Sequence, residues 1–372
     1  MAPDAIHSSE LPEQRAFAYG RHALCGVFVG FIHRVRVGRW LTALLLLLPF
    51  LGTGCGTFVA HRIVQAPNTY PTWLAPAAPV LLSFNYDLLT NSPSRFAEVG
   101  PPAARLHYRV VEPAEYHLKI ISTNWVEHGE ERYQFDFHAK KPQPNAWAGA
   151  PRGTVFLLHG YGLAEFSMVP WALRLSEDGW RCVLVDLRGH GLSNGKQIYY
   201  GLTEARDMEQ LLDVLTNQTH VSQPVAVIGD SYGAALALRW KTVDPRVGPA
   251  VAMAPYGVLS NAVLNLCQDY ARCLPQAIIR AGLKQLPVVL GASAADLDTT
   301  TVLARHPVTA LFVAGSKDNI IPLAEMQNLY AKALPGSKLI VVPGATHENL
   351  SYHFGELVPP VLEWLDTNGQ VR

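Results

Sequence analysis

The sequence predicts an open α/β sheet, mostly parallel and doubly wound, with about eight strands and a helical insertion late in the chain. Three observations predict it. Short apolar runs alternate with helical stretches from Tyr116 to the C-terminal region. The later runs are continuously apolar, as strands covered on both faces must be. Between two of them lie about fifty residues, far more than an ordinary connection needs.

The strands in order are Tyr116–Ser122, Arg132–Phe137, Thr154–Leu158, Arg181–Leu187, Val225–Ile228, Ala250–Ala254, Thr309–Ala314 and Lys338–Val342. The first two read as an antiparallel pair and the other six as parallel. Helices are expected near Phe166–Ser176, Glu204–Leu215, Tyr232–Thr242, Leu323–Leu334 and Leu350–Leu365. In the second of these, Met208, Leu211, Leu212 and Leu215 recur at helical spacing and give one face to cover a sheet. The insertion falls at 256–307. Its residues Val263, Leu266, Leu274, Ile278, Ile279, Leu283 and Leu286 suggest amphipathic helices broken at Pro275 and Pro287.

The composition suits a packed globular chain. Of 372 residues 49% are hydrophobic and 16% charged, and 30 basic residues balance 30 acidic ones. Zero net charge argues against a nucleic-acid partner, which would favour a basic face. Five cysteines, with no C-x-x-C pair and no H-E-x-x-H, argue against a disulfide framework or a zinc site, so no metal or other cofactor is expected. Cys267 and Cys273 pair only if the helix between them is broken, because six residues of helix separate them by about 9 Å.

Gly229-Asp230-Ser231-Tyr232-Gly233 follows the strand Val225–Ile228 and opens the helix at Tyr232. Alone, G-x-S-x-G is weak, since roughly one chain in ten of this length contains it by chance. Between a buried strand and a helix it describes a sharp turn. There the serine takes a strained conformation, and Gly229 and Gly233 let strand and helix approach closely. The bland alternative is a serine N-cap.

A serine hydroxyl attacks only if a base takes its proton and an acid orients that base. Asp318 follows the strand Thr309–Ala314, and His347 follows Lys338–Val342. Both stand at carboxyl ends of parallel strands, where open α/β sheets bind ligands. Asp296, Asp298 and His306 precede their strand, and His353 belongs to the last helix, so they are weaker candidates. His159-Gly160-Tyr161-Gly162, after Thr154–Leu158, makes a turn whose glycines expose backbone N–H groups, the donor type that an oxyanion needs. The backbone N–H groups of Tyr161 and Tyr232 are the candidate donors, with His159, Gly160, Gly162, Gly229 and Gly233 supporting the turns.

Upstream, an uncharged run from Trp40 to Ala60 follows Arg34, Arg36 and Arg39. It is long enough to span a bilayer, and the arginines would hold residues 1–39 in the cytoplasm and the rest outside it. Gly52-Thr53-Gly54-Cys55 is a competing lipoprotein-type site, making Cys55 a candidate for lipidation. Its Gly52 stands where a leucine is usual. Residues 1–39 are long for a signal n-region, which raises the alternative of a start at Val35 or Val37. Residues 61–112 read as a linker packed on the domain at 113–372.

Together, Leu158–Gly162, Asp186-Leu187-Arg188-Gly189-His190-Gly191-Leu192-Ser193, Gly229–Gly233, Asp318 and His347 resemble the α/β-hydrolase superfamily. Within it, the nearest likeness is to the monoacylglycerol lipase, lysophospholipase and serine-aminopeptidase-like branch, from about Pro113 onward. The resemblance implies an α/β-hydrolase fold whose insertion is a cap, and a structural turn at Asp186–Ser193. It implies a serine hydrolase that cleaves a carboxylic ester through Ser231, Asp318 and His347, with a small-molecule or lipid acyl substrate. The expected membrane tether comes from the N-terminal apolar segment, which the resemblance does not cover. A serine peptidase, an acyltransferase and a non-catalytic binding module on the same fold are the alternatives.

Overall fold

Apolar runs without alternation need cover on both faces, and five of them form the middle of the main sheet. The computed structural model describes residues 54–70, 80–84, 89, 92–127, 130–140, 147, 149–270 and 274–369. Its strands are β1 (Val80–Phe84), β2 (Arg95–Val99), β3 (Ala104–Val111), β4 (Lys119–Glu127), β5 (Glu130–His138), β6 (Thr154–Leu158), β7 (Arg181–Val185), β8 (Val225–Asp230), β9 (Val247–Met253), β10 (Leu311–Gly315) and β11 (Lys338–Val342). Its helices are α1 (Gly54–Val64), α2 (Val169–Glu177), α3 (Glu204–Asn217), α4 (Tyr232–Val243), α5 (Leu259–Tyr270), α6 (Gln276–Leu290), α7 (Ala294–Leu297), α8 (Thr299–Arg305), α9 (Leu323–Tyr330) and α10 (Phe354–Asn368).

Among the described residues the main sheet has eight strands in the order β11-β10-β9-β8-β6-β7-β3-β2. From β11 to β7 every pairing is parallel; β3 pairs antiparallel with β7 and with β2, so it alone is reversed. Phe156 and Leu158 face one core with α3 and α4, while Val155 and Leu157 face the other with α2 and α10. This is the α/β-hydrolase fold that the motifs imply.

The count of eight is reached differently than the sequence suggests. The two early strands, now β4 and β5, pair with β1 in a separate sheet of order β1-β5-β4. Phe135 and Phe137 of β5 pack on Tyr352 and Phe354 instead of joining the main sheet. β4 begins at Lys119 because His117 has a φ of 51°, which ends any extended run there. The segment 61–112, read as linker, supplies β2 and β3 to the main sheet. The cap is α5 to α8. Pro275 is the N-cap of α6 as its position suggests, but Pro287 lies inside that helix. It falls in the last turn, where it removes one backbone hydrogen bond and Gly291 ends the helix left-handed.

The Trp40–Ala60 run needs a revised boundary. Residues 40–53 lie outside the described residues, and so do residues 1–39 and Cys273. Gly54–Ala60 belongs to α1, which packs along α6 with Ala60 and Val64 buried. Cys55 is in its first turn. No helix among the described residues is long and apolar enough to cross a membrane. The helices meet across glycines: a Cβ on Gly282 would stand 2.4 Å from Val59 Cγ1, and one on Gly56 would stand 2.8 Å from the Ala281 carbonyl oxygen. Gly282→Val is therefore expected to lose about 1–3 kcal/mol of stability through overpacking, read as a lower midpoint in denaturant. An unchanged midpoint would mean that the two helices are not in contact.

Candidate active site

The turn after β8 is set by two close approaches. A Cβ on Gly229 would lie 2.2 Å from the Gly233 carbonyl oxygen, and one on Gly233 would lie 2.2 Å from that of Leu158. Only glycine fits either place. Ser231, held between them, has φ 49° and ψ −108°, a conformation worth about 1–3 kcal/mol of strain in a non-glycine residue. Its N–H donates to the Met253 carbonyl at 2.7 Å, and its own carbonyl accepts from Ala234 and Ala235. Oγ is thereby lifted off the sheet at the start of α4.

Three side chains from three strand ends meet there. Ser231 Oγ lies 2.8 Å from His347 Nε2. On the other side of the ring, Nδ1 is 2.9 Å from Asp318 Oδ2. The second oxygen, Oδ1, accepts the backbone N–H groups of Ile320 at 2.9 Å and Ile321 at 2.7 Å. Asp318 is buried, so these amides and the imidazole are what make its charge tolerable. An anionic Asp318 places the ring proton on Nδ1 and leaves Nε2 to accept from the serine. The two loops are locked together: Lys317 N–H donates to the Ala345 carbonyl and Gly344 N–H to Ser316 Oγ.

Burial works against the His347 imidazolium, but the charge and hydrogen bond of Asp318, joined by Glu348 and Asp230, outweigh it and raise the ring's proton affinity above the ordinary range. Asp230 is itself buried beneath the serine. Burial, reinforced by Asp318, pushes its pKa up to about 6, and its Oδ2 is 3.5 Å from Ser351 Oγ.

The turn after β6 faces the serine. His159 is buried; its Nδ1–H donates to the Gly160 carbonyl at 2.8 Å while Nε2 accepts from Leu187 N–H at 3.0 Å. That pair of bonds fixes the turn to the end of β7, and burial keeps the ring neutral by lowering its pKa. Gly162 has φ 73°, and a Cβ on Gly160 would sit 3.6 Å from that of Ser231. The Tyr161 and Tyr232 rings lie edge to face, 6.5 Å between centroids. Tyr232 is the first residue of α4, so helix geometry gives its N–H no partner within the helix. The arrangement can take a proton from a hydroxyl.

The weaker candidates sit elsewhere. Asp296 closes a capping box with Ser293, Asp298 accepts from Leu259 N–H at 2.9 Å within the cap, and His306 is exposed. His353 is the N-cap of α10, one step before the helix in which the sequence puts it. No group of three or more potential metal ligands converges among the described residues.

One reversed strand in an otherwise parallel sheet, a serine at a strained turn and a capping insertion define the class: the chain has the α/β-hydrolase fold and is similar to members of that superfamily. A model of the serine aminopeptidase S33 family matches residues 149–301. Among curated proteins the chain is 22% identical over 196 residues to the uncharacterized protein YqkD of Bacillus subtilis, covering 52% of this chain and 64% of YqkD. It is 28% identical over 232 residues to a monoacylglycerol lipase of Mycolicibacterium smegmatis, covering 53% of this chain and 82% of the lipase. The Pyrococcus furiosus esterase Pf2001 superposes with a TM-score of 0.56 at 19% identity, over 77% of this chain and 95% of that one.

The Asp186–Ser193 loop is structural, as its position suggests. Asp186 accepts from the N–H groups of Glu165 at 2.7 Å and Leu192 at 2.8 Å and pairs with His107 Nδ1 at 2.9 Å. Burial opposes its charge, but the His107 bond, nearby His159 and those amides hold its pKa below the usual carboxylate range. Gly191, at φ 49°, leaves no room for a Cβ beside that carboxylate. Arg188 then forms a bidentate pair with Asp207 of α3, at 2.7 Å for both bonds, with both side chains buried. Arg188→Met alone would strand the Asp207 charge and is expected to cost ~3–5 kcal/mol in denaturant unfolding, whereas adding Asp207→Leu should recover most of it. Equal losses in the single and double variants would contradict this reading of the loop.

Proposed function

We propose that the protein is a serine hydrolase that cleaves carboxylic esters through an acyl-enzyme on Ser231. The observation that carries the proposal is the relay in which Ser231 Oγ, His347 and Asp318 are joined by hydrogen bonds of 2.8 and 2.9 Å at the carboxyl ends of parallel strands. In this reading His347 Nε2 takes the serine proton as Oγ attacks the acyl carbon. The carbonyl electron pair moves onto oxygen, where the N–H groups of Tyr161 and Tyr232 hold it. The tetrahedral species collapses, the alcohol leaves with the proton from Nε2, and water repeats the sequence to release the acid. Asp318 remains ionised throughout and keeps Nδ1–H in place.

An acyl chain suits the cap. Leu264, Cys267 and Ile279 form a small apolar cluster there, with Val263, Leu274 and Leu283 packed against it. A small-molecule or lipid ester is accordingly the substrate class. Likeness to a monoacylglycerol lipase and to an esterase supports the ester reading. The match to a serine aminopeptidase model favours a second one, amide cleavage at the same serine.

Turnover of p-nitrophenyl esters of graded acyl length against aminoacyl p-nitroanilides separates the two readings. Esters are expected to be preferred, and Ser231→Ala to lose several orders of magnitude in kcat. A Ser231→Ala variant within tenfold of wild type would sink the assignment. The pH profile supplies a second check. Catalysis needs neutral His347, and Asp318 stabilises the imidazolium, so activity should rise only above the pH range usual for an imidazole. Asp318→Asn removes that stabilisation. Its acidic limb should move to lower pH while the plateau falls by about 10⁴. A limb that stays in place would remove Asp318 from the relay.

A further inference from the structure

Cap helix α5 is held to its neighbour α6 by apolar contacts, in which Leu264 and Cys267 pack with Ile279. Its polar groups bond elsewhere, to α9 and to the two loops that carry the relay. At its start, the N–H groups of Gly257 and Val258 donate to Glu325 Oε1 at 3.1 and 3.0 Å, and Asn261 Nδ2 donates to Glu325 Oε2 at 3.3 Å. One turn further on, Asn265 Nδ2 donates to the Ile320 carbonyl at 3.0 Å. At the last residue, the Tyr270 hydroxyl donates to the carboxylate of Glu348, which follows His347 directly. A single cap helix thus bonds to the loop of the acid and to the loop of the base.

The bond from Asn265 continues to the serine. The Ile320 carbonyl and the Ile321 N–H are the two ends of one planar peptide unit. That N–H donates to Asp318 Oδ1 at 2.7 Å. The other oxygen of the carboxylate is 2.9 Å from His347 Nδ1, and Nε2 of that ring is 2.8 Å from Ser231 Oγ. An unbroken series of hydrogen bonds therefore runs from the cap through the 320–321 peptide, Asp318 and His347 to the nucleophile. Its donors converge on the carboxylate from both ends. A donor on the peptide carbonyl makes the N–H of the same peptide a stronger donor, so the Asn265 bond strengthens the hold on Asp318. Ile320 and Ile321 are themselves buried, which keeps water from replacing that hold.

We propose that Asn265 is a positioning residue for the relay: through the 320–321 peptide it fixes the carboxylate of Asp318, so that a side chain of the cap sets the geometry of the catalytic acid. The inference rests on the hydrolase reading above. Its physical basis is that a carboxylate orients an imidazole only when its own second oxygen is held, and small displacements within such a constellation are costly. Without the amide, the Ile320 carbonyl loses this partner and the peptide is freer to turn, taking with it the N–H on Asp318 Oδ1. The relay is then complete only while α5 is seated. Asn261 provides the contrast, because it lies one turn earlier on the same helix and its side chain reaches Glu325 of α9.

The test measures p-nitrophenyl ester kinetics and the rate of labelling by a fluorophosphonate probe, well below the melting temperature of each protein. It compares wild type, Asn265→Ala, Asn265→Asp, Asn261→Ala, Asp318→Asn and the double variant of Asn265→Ala with Asp318→Asn. Asn265→Asp keeps the size of the side chain and removes the donor. Both Asn265 variants are expected to lower kcat and slow labelling by roughly tenfold, with KM within about twofold. Asn261→Ala should stay within about twofold of wild type in both. Added to Asp318→Asn, Asn265→Ala should cost less than about twofold more, since the link it completes is already broken. Wild-type kcat and labelling in the Asn265 variants would overturn the inference and leave the hydrolase reading intact. An equal loss in Asn261→Ala, a full loss in the Asp318→Asn background, or a change confined to KM would also overturn it. A wild-type protein that takes no label would instead overturn the hydrolase reading, and this inference with it.

Discussion

The turn that carries Ser231 admits no side chain on either flank, and the rest of the site is arranged around that constraint. Gly229 and Gly233 let strand β8, helix α4 and the end of β6 approach to backbone contact. The serine is forced to positive φ by the same approach. Strain of this kind persists only where the surroundings over-determine it. Here they do: β8 lies between β6 and β9, each covered on both faces, and Met253 at the end of β9 takes the Ser231 N–H. The parallel sheet then places the loops bearing Asp318 and His347 next door without any further device.

Around the turn, buried charge is everywhere matched to specific donors. Asp318 has an imidazole and two amides, Asp186 has an imidazole and two amides, and Glu204 has two amides and a phenol. A buried carboxylate left unmatched would cost several kcal/mol, so each set fixes the loop that presents it. Asp230 and Glu165 are the exceptions: Asp230 Oδ1 and Glu165 Oε2 have no hydrogen-bond partner among the described residues, and burial raises the pKa of both carboxyl groups.

Much of this was legible in the residues. The six parallel strands follow from uninterrupted apolar runs, and the serine, acid and histidine follow from their places after three of those runs. What the sequence hid was the start of the sheet. β3 is a buried strand, yet it carries His107 and Arg109, which read as loop chemistry. Their partners, Asp186 and Glu165, lie 79 and 56 residues further on, so no local pattern announces them. β2, with Arg95 and Glu98, is an edge strand that looks polar for the same reason. The apolar character of Gly54–Ala60 was equally ambiguous. A face that covers a cap helix and one that meets lipid have the same composition, and only the glycine contacts with α6 distinguish them. Glu204 gave no local signal because its bond from the Tyr232 hydroxyl joins residues 28 apart in the chain.

The central claim is that Ser231 becomes covalently acylated. Rapid mixing with a p-nitrophenyl ester, acid quench within the first turnover and intact-mass analysis with peptide mapping tests it directly. The expected result is a transient adduct of one acyl group on the peptide containing Ser231, formed together with a burst of nitrophenol. Steady turnover with no adduct on that peptide, or an adduct on a different residue, would contradict it.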